Sequence, residues 1–175
     1  MPDRRHLWRG IHDSDMVRSG LTVETIAPTR VAGRLNAEIS IANTGVGHAF
    51  PTYVTPQVAV EIEQVDNRGK LIAATTERHL IAREVSLDLS AELADTRLMP
   101  DEKRRYLYDR PFDPRAVAVV FRIVVRPDVF YAAFYRATLS DSEFRKGRAA
   151  LREALRRATT SSYVAFEARR EISTR

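Results

Sequence analysis

The fold class is decided by LNAEISIA (residues 35–42), a run in which apolar and polar side chains alternate. A period of two places the apolar side chains on one face of a β-strand and predicts a half-buried strand. The run leads directly into NTGVGHAFPT (residues 43–52), where two glycines permit backbone angles that are closed to other residues. The sequence therefore predicts a strand that ends in a glycine-containing loop.

Further strands are predicted on both sides of this run. They cover residues 21–26, 58–63, 79–85, 105–108 and 116–125. The first is expected to end at Pro28, and DNRG (residues 66–69) predicts a turn into a return strand that begins at Leu71. Residues 116–125 are nearly continuously apolar, which is typical of a central strand covered on both faces. Residues 86–102 are expected to form a long loop.

Helical periodicity begins only after Pro127. Phe130, Ala133, Phe134 and Ala137 recur three and four residues apart, and a proline suits a helix start. These spacings predict a first C-terminal helix.

A second helix is predicted to open at SDSE (residues 140–143), which has the form of a capping box. Arg145, Arg148, Arg152 and Arg156 then fall on one face of that helix, opposite its apolar stripe. An arginine face of this kind suits an acidic partner, although a solvated helix face is the commoner case. It has no interleaved aromatic residues, so no nucleic-acid partner is expected.

The order of these elements indicates the architecture. Strands at short spacing followed by helices favour a mainly β fold, an antiparallel immunoglobulin-like β-sandwich with C-terminal α-helices. Residues 162–167 are either a last strand or an extended segment. Residues 1–19 are polar and are interpreted as an N-terminal arm, with residues 20–175 as the sandwich domain.

Composition excludes several kinds of chemistry. The 175 residues include no cysteine, which excludes disulfides, thiolate metal sites, a cysteine nucleophile and covalent haem attachment within this chain. The net charge is +5, and only three of the 28 basic residues are lysine. There is no nucleotide-binding glycine motif and no apolar run of the ~20 residues that a membrane span requires. The first residues do not have the pattern of a signal peptide.

Three histidines are candidate ligands. His6 and His12 lie six residues apart on the arm and suit a metal or a haem iron, because neutral imidazole is a common ligand. The alternative is an exposed arm with incidental histidines. His48 follows Gly47 and is either a ligand presented by the loop or a turn residue bonded to backbone carbonyls. Four carboxylates suggest a hydrolase only if the fold brings two of them together: Asp95, Asp101, Glu102 and Asp109.

Several short stretches resemble a known family. HLWRGIHD (residues 6–13), which follows Met1-Pro2, resembles the segment after the last CxxCH of some multihaem c-type cytochromes. Residues 43–52 resemble a characteristic motif of the β-sandwich domain that follows the haem region in those proteins. DTRLMP (residues 95–100) and the tail at residues 158–171 are similar to later pieces of the same domain.

The resemblance implies a non-catalytic C-terminal domain that supports electron transfer by packing on a haem-bearing N-terminal region of the same protein. It implies His12 as an axial ligand of a haem iron, with His6 as the second choice and His48 as the weaker candidate. Haem c would belong to the full-length protein, because this chain has no CxxCH. The resemblance also implies a periplasmic or extracytoplasmic location, a possible redox partner protein, and a natural start upstream of Met1.

Two other functions remain open from the sequence. One is a free-standing immunoglobulin-like binding module without haem, which the strand pattern supports equally. The other is a small hydrolase that uses His48 or a carboxylate such as Asp95. Neither a nucleophile elbow nor a catalytic triad is visible, so an enzyme is not expected for this chain alone.

Overall fold

The computed structural model describes residues 10–142 and 145–173. Within them, the chain forms eight β-strands, three α-helices and one short 3-10 helix. The strands are β1 (Leu21–Val31), β2 (Arg34–Asn43), β3 (Gln57–Asp66), β4 (Glu77–Val85), β5 (Glu92–Asp95), β6 (Lys103–Pro111), β7 (Ala116–Arg126) and β8 (Tyr163–Glu171). The helices are α1 (Ser14–Gly20), the 3-10 helix Ala73–Thr75, α2 (Val129–Ser140) and α3 (Arg148–Thr160).

Two antiparallel sheets pack face to face. The strand order is β1-β2-β6 in one sheet and β5-β4-β3-β7-β8 in the other. Apolar side chains from both sheets form one continuous core between them. This arrangement confirms the predicted mainly β fold, an antiparallel β-sandwich with C-terminal α-helices.

The alternation in β2 has the predicted effect. Leu35, Ile39 and Ile41 are fully buried in the core. Burial of an aliphatic side chain of this size contributes about 1.5–3 kcal/mol relative to exposure. Glu38 points to the other face, where its carboxylate accepts hydrogen bonds from Arg105 of β6 at 2.5 and 2.6 Å. One face of β2 is therefore apolar, and the other carries charged side chains that form ion pairs.

The prediction that the first strand ends at Pro28 is wrong. β1 continues to Val31, with a shift in its pairing to β2 between Ile26 and Thr29. β1 is an edge strand. Proline lacks a backbone N–H, and such a residue is tolerated at a sheet edge or a bulge, where no ladder bond is lost.

Burial extends to both faces of β3. Glu61 and Glu63 alternate with the core residues, yet only 7% and 6% of their surface is exposed. Arginines of the neighbouring strands cover them: Arg78 of β4 pairs with Glu61 at 2.8 Å, and Arg122 of β7 pairs with Glu63. β7 is not an edge strand, as predicted, because it lies between β3 and β8. The prediction that both of its faces are covered is only partly met, because the second face is half-buried.

The second helix does not begin at the predicted capping box. Ser140 is the last residue of α2, and α3 begins at Arg148, after Gly147 at φ 81°. Glu143, the acidic member of the predicted box, lies outside the described residues. The hydroxyl of Ser140 accepts no helix-starting N–H and instead donates to the carbonyls of Arg136 and Ala137 at 2.9 and 2.8 Å.

Two loop predictions are also refined. The predicted loop at residues 86–102 contains the short strand β5, which pairs with β4. The alternatives for the tail are resolved in favour of a strand, because β8 pairs with β7 along its length. Among the helices of the described ranges, none combines the length and apolar character needed to cross a bilayer.

Strand register brings several distant segments to one end of the sandwich. Leu21 pairs with Asn43, Gln57 with Arg126, and Val125 with Tyr163. Three segments therefore emerge at this end: the described part of the N-terminal arm (residues 10–19), the loop at residues 43–56, and the α2–α3 hairpin (residues 129–142 and 145–160). We call it the arm end, and it carries both His12 and His48.

Candidate functional site

His12 lies on the arm immediately before α1. Its Nε2 is 2.9 Å from Oδ2 of Asp128, a residue 116 positions away in the chain. The side chain of His12 is 61% exposed, whereas that of Asp128 is 17% exposed. The imidazole is thus held on one side by a largely covered carboxylate, while much of its side chain stays exposed.

The arm itself is fixed to the sandwich by β8. The hydroxyl of Tyr163 donates to the carbonyl of Ile11 at 2.6 Å, and Nε of Arg18 donates to the carbonyl of Ala165 at 2.8 Å. Val17 of α1 is buried in the core. These contacts hold the backbone on both sides of His12 against the sandwich.

The position of Tyr163 raises the pKa of its hydroxyl. Burial raises the pKa of its hydroxyl to about 12, and the nearby carboxylate of Asp13 adds to the rise. The neutral hydroxyl therefore remains the hydrogen-bond donor to Ile11 through neutral pH.

Asp128 occupies the N-cap position of α2, but its side chain makes no capping hydrogen bond. Asp13, at the N-cap of α1, behaves differently: its Oδ1 accepts from the backbone N–H groups of Asp15 and Met16, both at 3.0 Å. Loss of an N-cap side chain costs a helix about 1 kcal/mol. The carboxylate of Asp128 is directed to His12 instead of to its own helix.

His48 lies in a loop that bonds to itself. Its Nδ1 is 3.0 Å from Oγ1 of Thr52 and 3.1 Å from the carbonyl of Ala49. The predicted alternative of a turn histidine that bonds to backbone carbonyls describes this geometry. His48 is exposed, as His12 is, but the described hydrogen bonds of its ring stay within four residues of it.

Asn43 holds the loop closed from inside. Its Nδ2 donates to the carbonyls of His48 and Leu98 at 2.9 and 3.1 Å, and its Oδ1 accepts from the N–H of Val46 at 3.2 Å. Phe50 completes the closure, because its backbone pairs with that of Leu98 in both directions. Residues 43–52 therefore form a corner that joins the two sheets.

A glycine is required at one position of this corner. A side-chain carbon at Gly45 would lie 2.7 Å from the carbonyl oxygen of Ser19, at the end of α1. At Gly47 the same carbon would meet nothing within 4 Å. The glycine at position 45 permits the close approach of the corner to α1.

The candidate ligands do not converge. No contact joins His12 to His48 in the described part of the chain, and no cluster of three or more metal-ligating side chains occurs there. His6 lies outside the described residues. The chain has no cysteine, so a haem c group cannot be bonded to it covalently. Neutral imidazole is a ligand that a haem iron accepts, and the imidazole of His12 is exposed.

Some arginines of the predicted face form hydrogen bonds within the α2–α3 hairpin. Arg148 donates to the carbonyls of Leu139 and Asp141 at 2.6 and 3.2 Å, which links α3 to the end of α2. Arg156 and Arg157 both bond to Glu153 at 2.8 Å, and they lower the pKa of that carboxyl to about 2.

Two of the carboxylates considered for a hydrolase, Asp95 and Asp109, are paired with arginines. Arg97 bonds to Asp95 at 2.6 Å and lowers its pKa to about 2. Arg34 bonds to Asp109 at 2.5 Å. A general acid needs a carboxyl whose pKa is raised toward the working pH, so the pairing of Asp95 acts against that role.

Sequence reasoning missed Asp128. The available signal was an aspartate after Pro127 and just before a helical period, which indicates an N-cap. Its pairing with His12 has no local signature, because it depends on the register that places α2 beside the arm.

Comparisons with known proteins inform the fold. No family model matches the chain, and no curated protein matches it. Among solved structures, the chain is similar to a penta-heme cytochrome c552 from Thermochromatium tepidum, with a TM-score of 0.65 and 14% identity. The match covers 94% of this chain and 42% of that cytochrome, so the chain spans less than half of its length.

A second structure is more distant. The putative ApaA protein from Bordetella pertussis matches with a TM-score of 0.34 and 17% identity, over 60% of this chain and 76% of that one. That likeness carries no argument. At 14% identity, the cytochrome match shows a shared fold: the β-sandwich of this chain is similar to part of a penta-heme cytochrome.

Proposed function

We propose that this chain is a non-catalytic β-sandwich domain of a multihaem cytochrome c, which supports electron transfer by packing on a haem-bearing region. The observation that carries the proposal is the likeness of 94% of the chain to part of a penta-heme cytochrome c552. The stretches at residues 6–13 and 43–52, which resemble the same class of protein, support it independently of the fold.

In this proposal, His12 supplies an axial ligand to a haem that is attached outside this chain. His12 is exposed and its backbone is fixed by Tyr163, so the imidazole can reach a group that lies against the arm end. A haem iron with two histidine ligands has both axial positions filled, and it supplies one-electron transfer instead of substrate binding. His48 is the weaker candidate, because its ring already bonds within its own loop.

Location and partners follow from the same proposal. Cytochromes c are extracytoplasmic, so the full-length protein would be periplasmic or otherwise outside the cytoplasm. Its first partner is the haem-bearing region of the same protein. A redox partner protein could use the exposed arginines of α3, such as Arg152, which is among the exposed residues of that helix.

The gene gives the first test. We expect the reading frame upstream of Met1 to continue and to encode a CxxCH motif close to this chain. A stop codon just upstream of Met1 would contradict the proposal, because the haem region would then be missing from the protein.

A haem titration gives the second test. The probe is a proteolytic haem c peptide that keeps one axial histidine of its own and leaves the sixth position open. We expect the chain to convert this peptide to the low-spin bis-histidine spectrum, and His12→Ala to abolish the conversion. His48→Ala is the matched control and should leave the spectrum unchanged.

One observation favours a second candidate, a haem-free interaction module. Leu87 and Leu89, between β4 and β5, and Leu93, within β5, are 41%, 62% and 67% exposed. A patch of exposed apolar residues is typical of a contact surface. A complete gene that starts at Met1 would favour this candidate over the cytochrome domain.

A further inference from the structure

The geometry points to Asp128 as a positioning residue, which holds His12 so that Nδ1 is the atom that ligates the haem iron. This inference rests on the proposed function, because it assumes that His12 is an axial ligand. It adds which nitrogen binds and which residue of the chain makes that nitrogen available.

The first step concerns the proton of His12. An ionised carboxylate only accepts hydrogen bonds, so the 2.9 Å contact between Nε2 of His12 and Oδ2 of Asp128 requires the proton to be on Nε2. In the neutral ring the lone pair is then on Nδ1. No described residue forms a hydrogen bond with Nδ1 of His12.

The second step concerns the carboxylate. The side chain of Asp128 is largely covered and makes no capping bond to α2, although its position is an N-cap. Aspartate is favoured at N-caps because its oxygen bonds to the first N–H groups of the helix. The side chain of Asp128 does not make that bond and pairs with His12 instead. This pairing is a tertiary contact between the start of α2 and the arm.

The third step is the chemistry of a ligating imidazole. A histidine that binds a metal almost always donates its other ring N–H to a carboxylate, a carbonyl or water. That bond fixes the tautomer and the ring orientation, and it makes the ligating nitrogen more basic. Asp128 is the carboxylate in this arrangement, and Nδ1 is the nitrogen that remains for the iron.

A plain ion pair is the competing explanation. An exposed pair between histidine and aspartate can simply tether the arm to α2, with little effect on stability. A tether makes no distinction between the two ring nitrogens as ligands. The two explanations therefore differ in which nitrogen binds the haem peptide.

The test replaces His12 with histidines that are methylated at one ring nitrogen, and it uses the same haem c peptide as probe. We expect Nδ1-methylhistidine at position 12 to abolish the low-spin spectrum. Nε2-methylhistidine should keep the spectrum with about 10- to 100-fold weaker affinity, because the bond to Asp128 is lost. Low-spin binding by the Nδ1-methylated chain would overturn the inference.

A second variant separates positioning from capping. Asp128→Ser keeps a good N-cap for α2 but is too short to reach His12, so we expect about 10- to 100-fold weaker binding of the haem peptide. Wild-type affinity in Asp128→Ser would overturn the role of Asp128. If the unmodified chain gives no low-spin spectrum, the axial role of His12 in the proposed function fails instead.

Discussion

The two described candidate histidines lie at the same end of the sandwich but are held in opposite ways. His48 bonds to Ala49 and Thr52, within its own loop. His12 bonds to Asp128, 116 residues away. A loop that satisfies its polar groups locally has the contacts of a structural corner. A histidine that depends on a distant carboxylate is placed by the whole fold, and among the described residues nothing bonds to its other ring nitrogen.

The largest expected effect tests the corner as structure. Asn43 is 1% exposed and its side chain makes three hydrogen bonds. Asn43→Ala removes the side chain that bonds the carbonyl of His48 and the N–H of Val46, so we expect a loss of about 3 kcal/mol in the free energy of unfolding. Urea denaturation measures this.

The matched control is Thr44→Ala, which removes one exposed hydroxyl contact to Thr22. It should cost less than about 0.5 kcal/mol, as surface substitutions do. Equal losses in Asn43→Ala and Thr44→Ala would show that the corner does not depend on Asn43.

The two glycines of the corner give a second comparison. Gly45→Ala places a carbon 2.7 Å from the backbone oxygen of Ser19. Because a backbone atom cannot move aside easily, we expect a loss of about 2 kcal/mol. Gly47→Ala meets nothing within 4 Å and should change stability by less than about 1 kcal/mol, in either direction. Thermal unfolding of the two variants separates them, and similar melting temperatures would contradict the prediction.

The arm is tested through its anchor. Tyr163→Phe removes the donor to the carbonyl of Ile11, so we expect a loss of about 1 kcal/mol in stability. We also expect faster hydrogen exchange of the amides near Ile11 and weaker binding of the haem peptide to His12. The corresponding substitution in the corner, His48→Ala, should leave haem binding unchanged. Unchanged binding in Tyr163→Phe would show that the arm does not need this anchor.

The smallest expected effect is on the pH dependence of stability. The pKa of Tyr163 is raised from 10.0 to about 12 in the folded state, chiefly by burial. A raised pKa means that the unfolded chain releases the proton first, so stability is intact below pH 10 and falls as the pH rises toward 12. Because the ring of Tyr163 is partly exposed, we expect the fall of stability with pH to be shallower than the pKa shift alone implies. Tyr163→Phe should flatten the decline between pH 10 and 12, and an unchanged slope would assign the decline to other tyrosines.

The alternation of apolar and polar residues predicted most strands, because the apolar residues of a half-buried strand are the ones that pack in the core. Leu35, Ile39 and Ile41 are core residues as their spacing predicts, and the tail strand β8 was one of two alternatives. The prediction that a helix starts at residues 140–143 was wrong, because a short motif carries no information about where the preceding helix ends. Pro28 failed to end β1 because an edge strand tolerates a missing N–H.

For the candidate site, the sequence by itself determined the residue types: histidines on an arm and in a glycine-containing loop, and a chain without cysteine. Only the tertiary structure decided their surroundings. Strand register brings Asn43, Arg126 and Tyr163 to one end, and α2 then begins beside the arm. Side-chain periodicity is set by neighbours along the chain, whereas the bond between His12 and Asp128 exists only once the two sheets have packed.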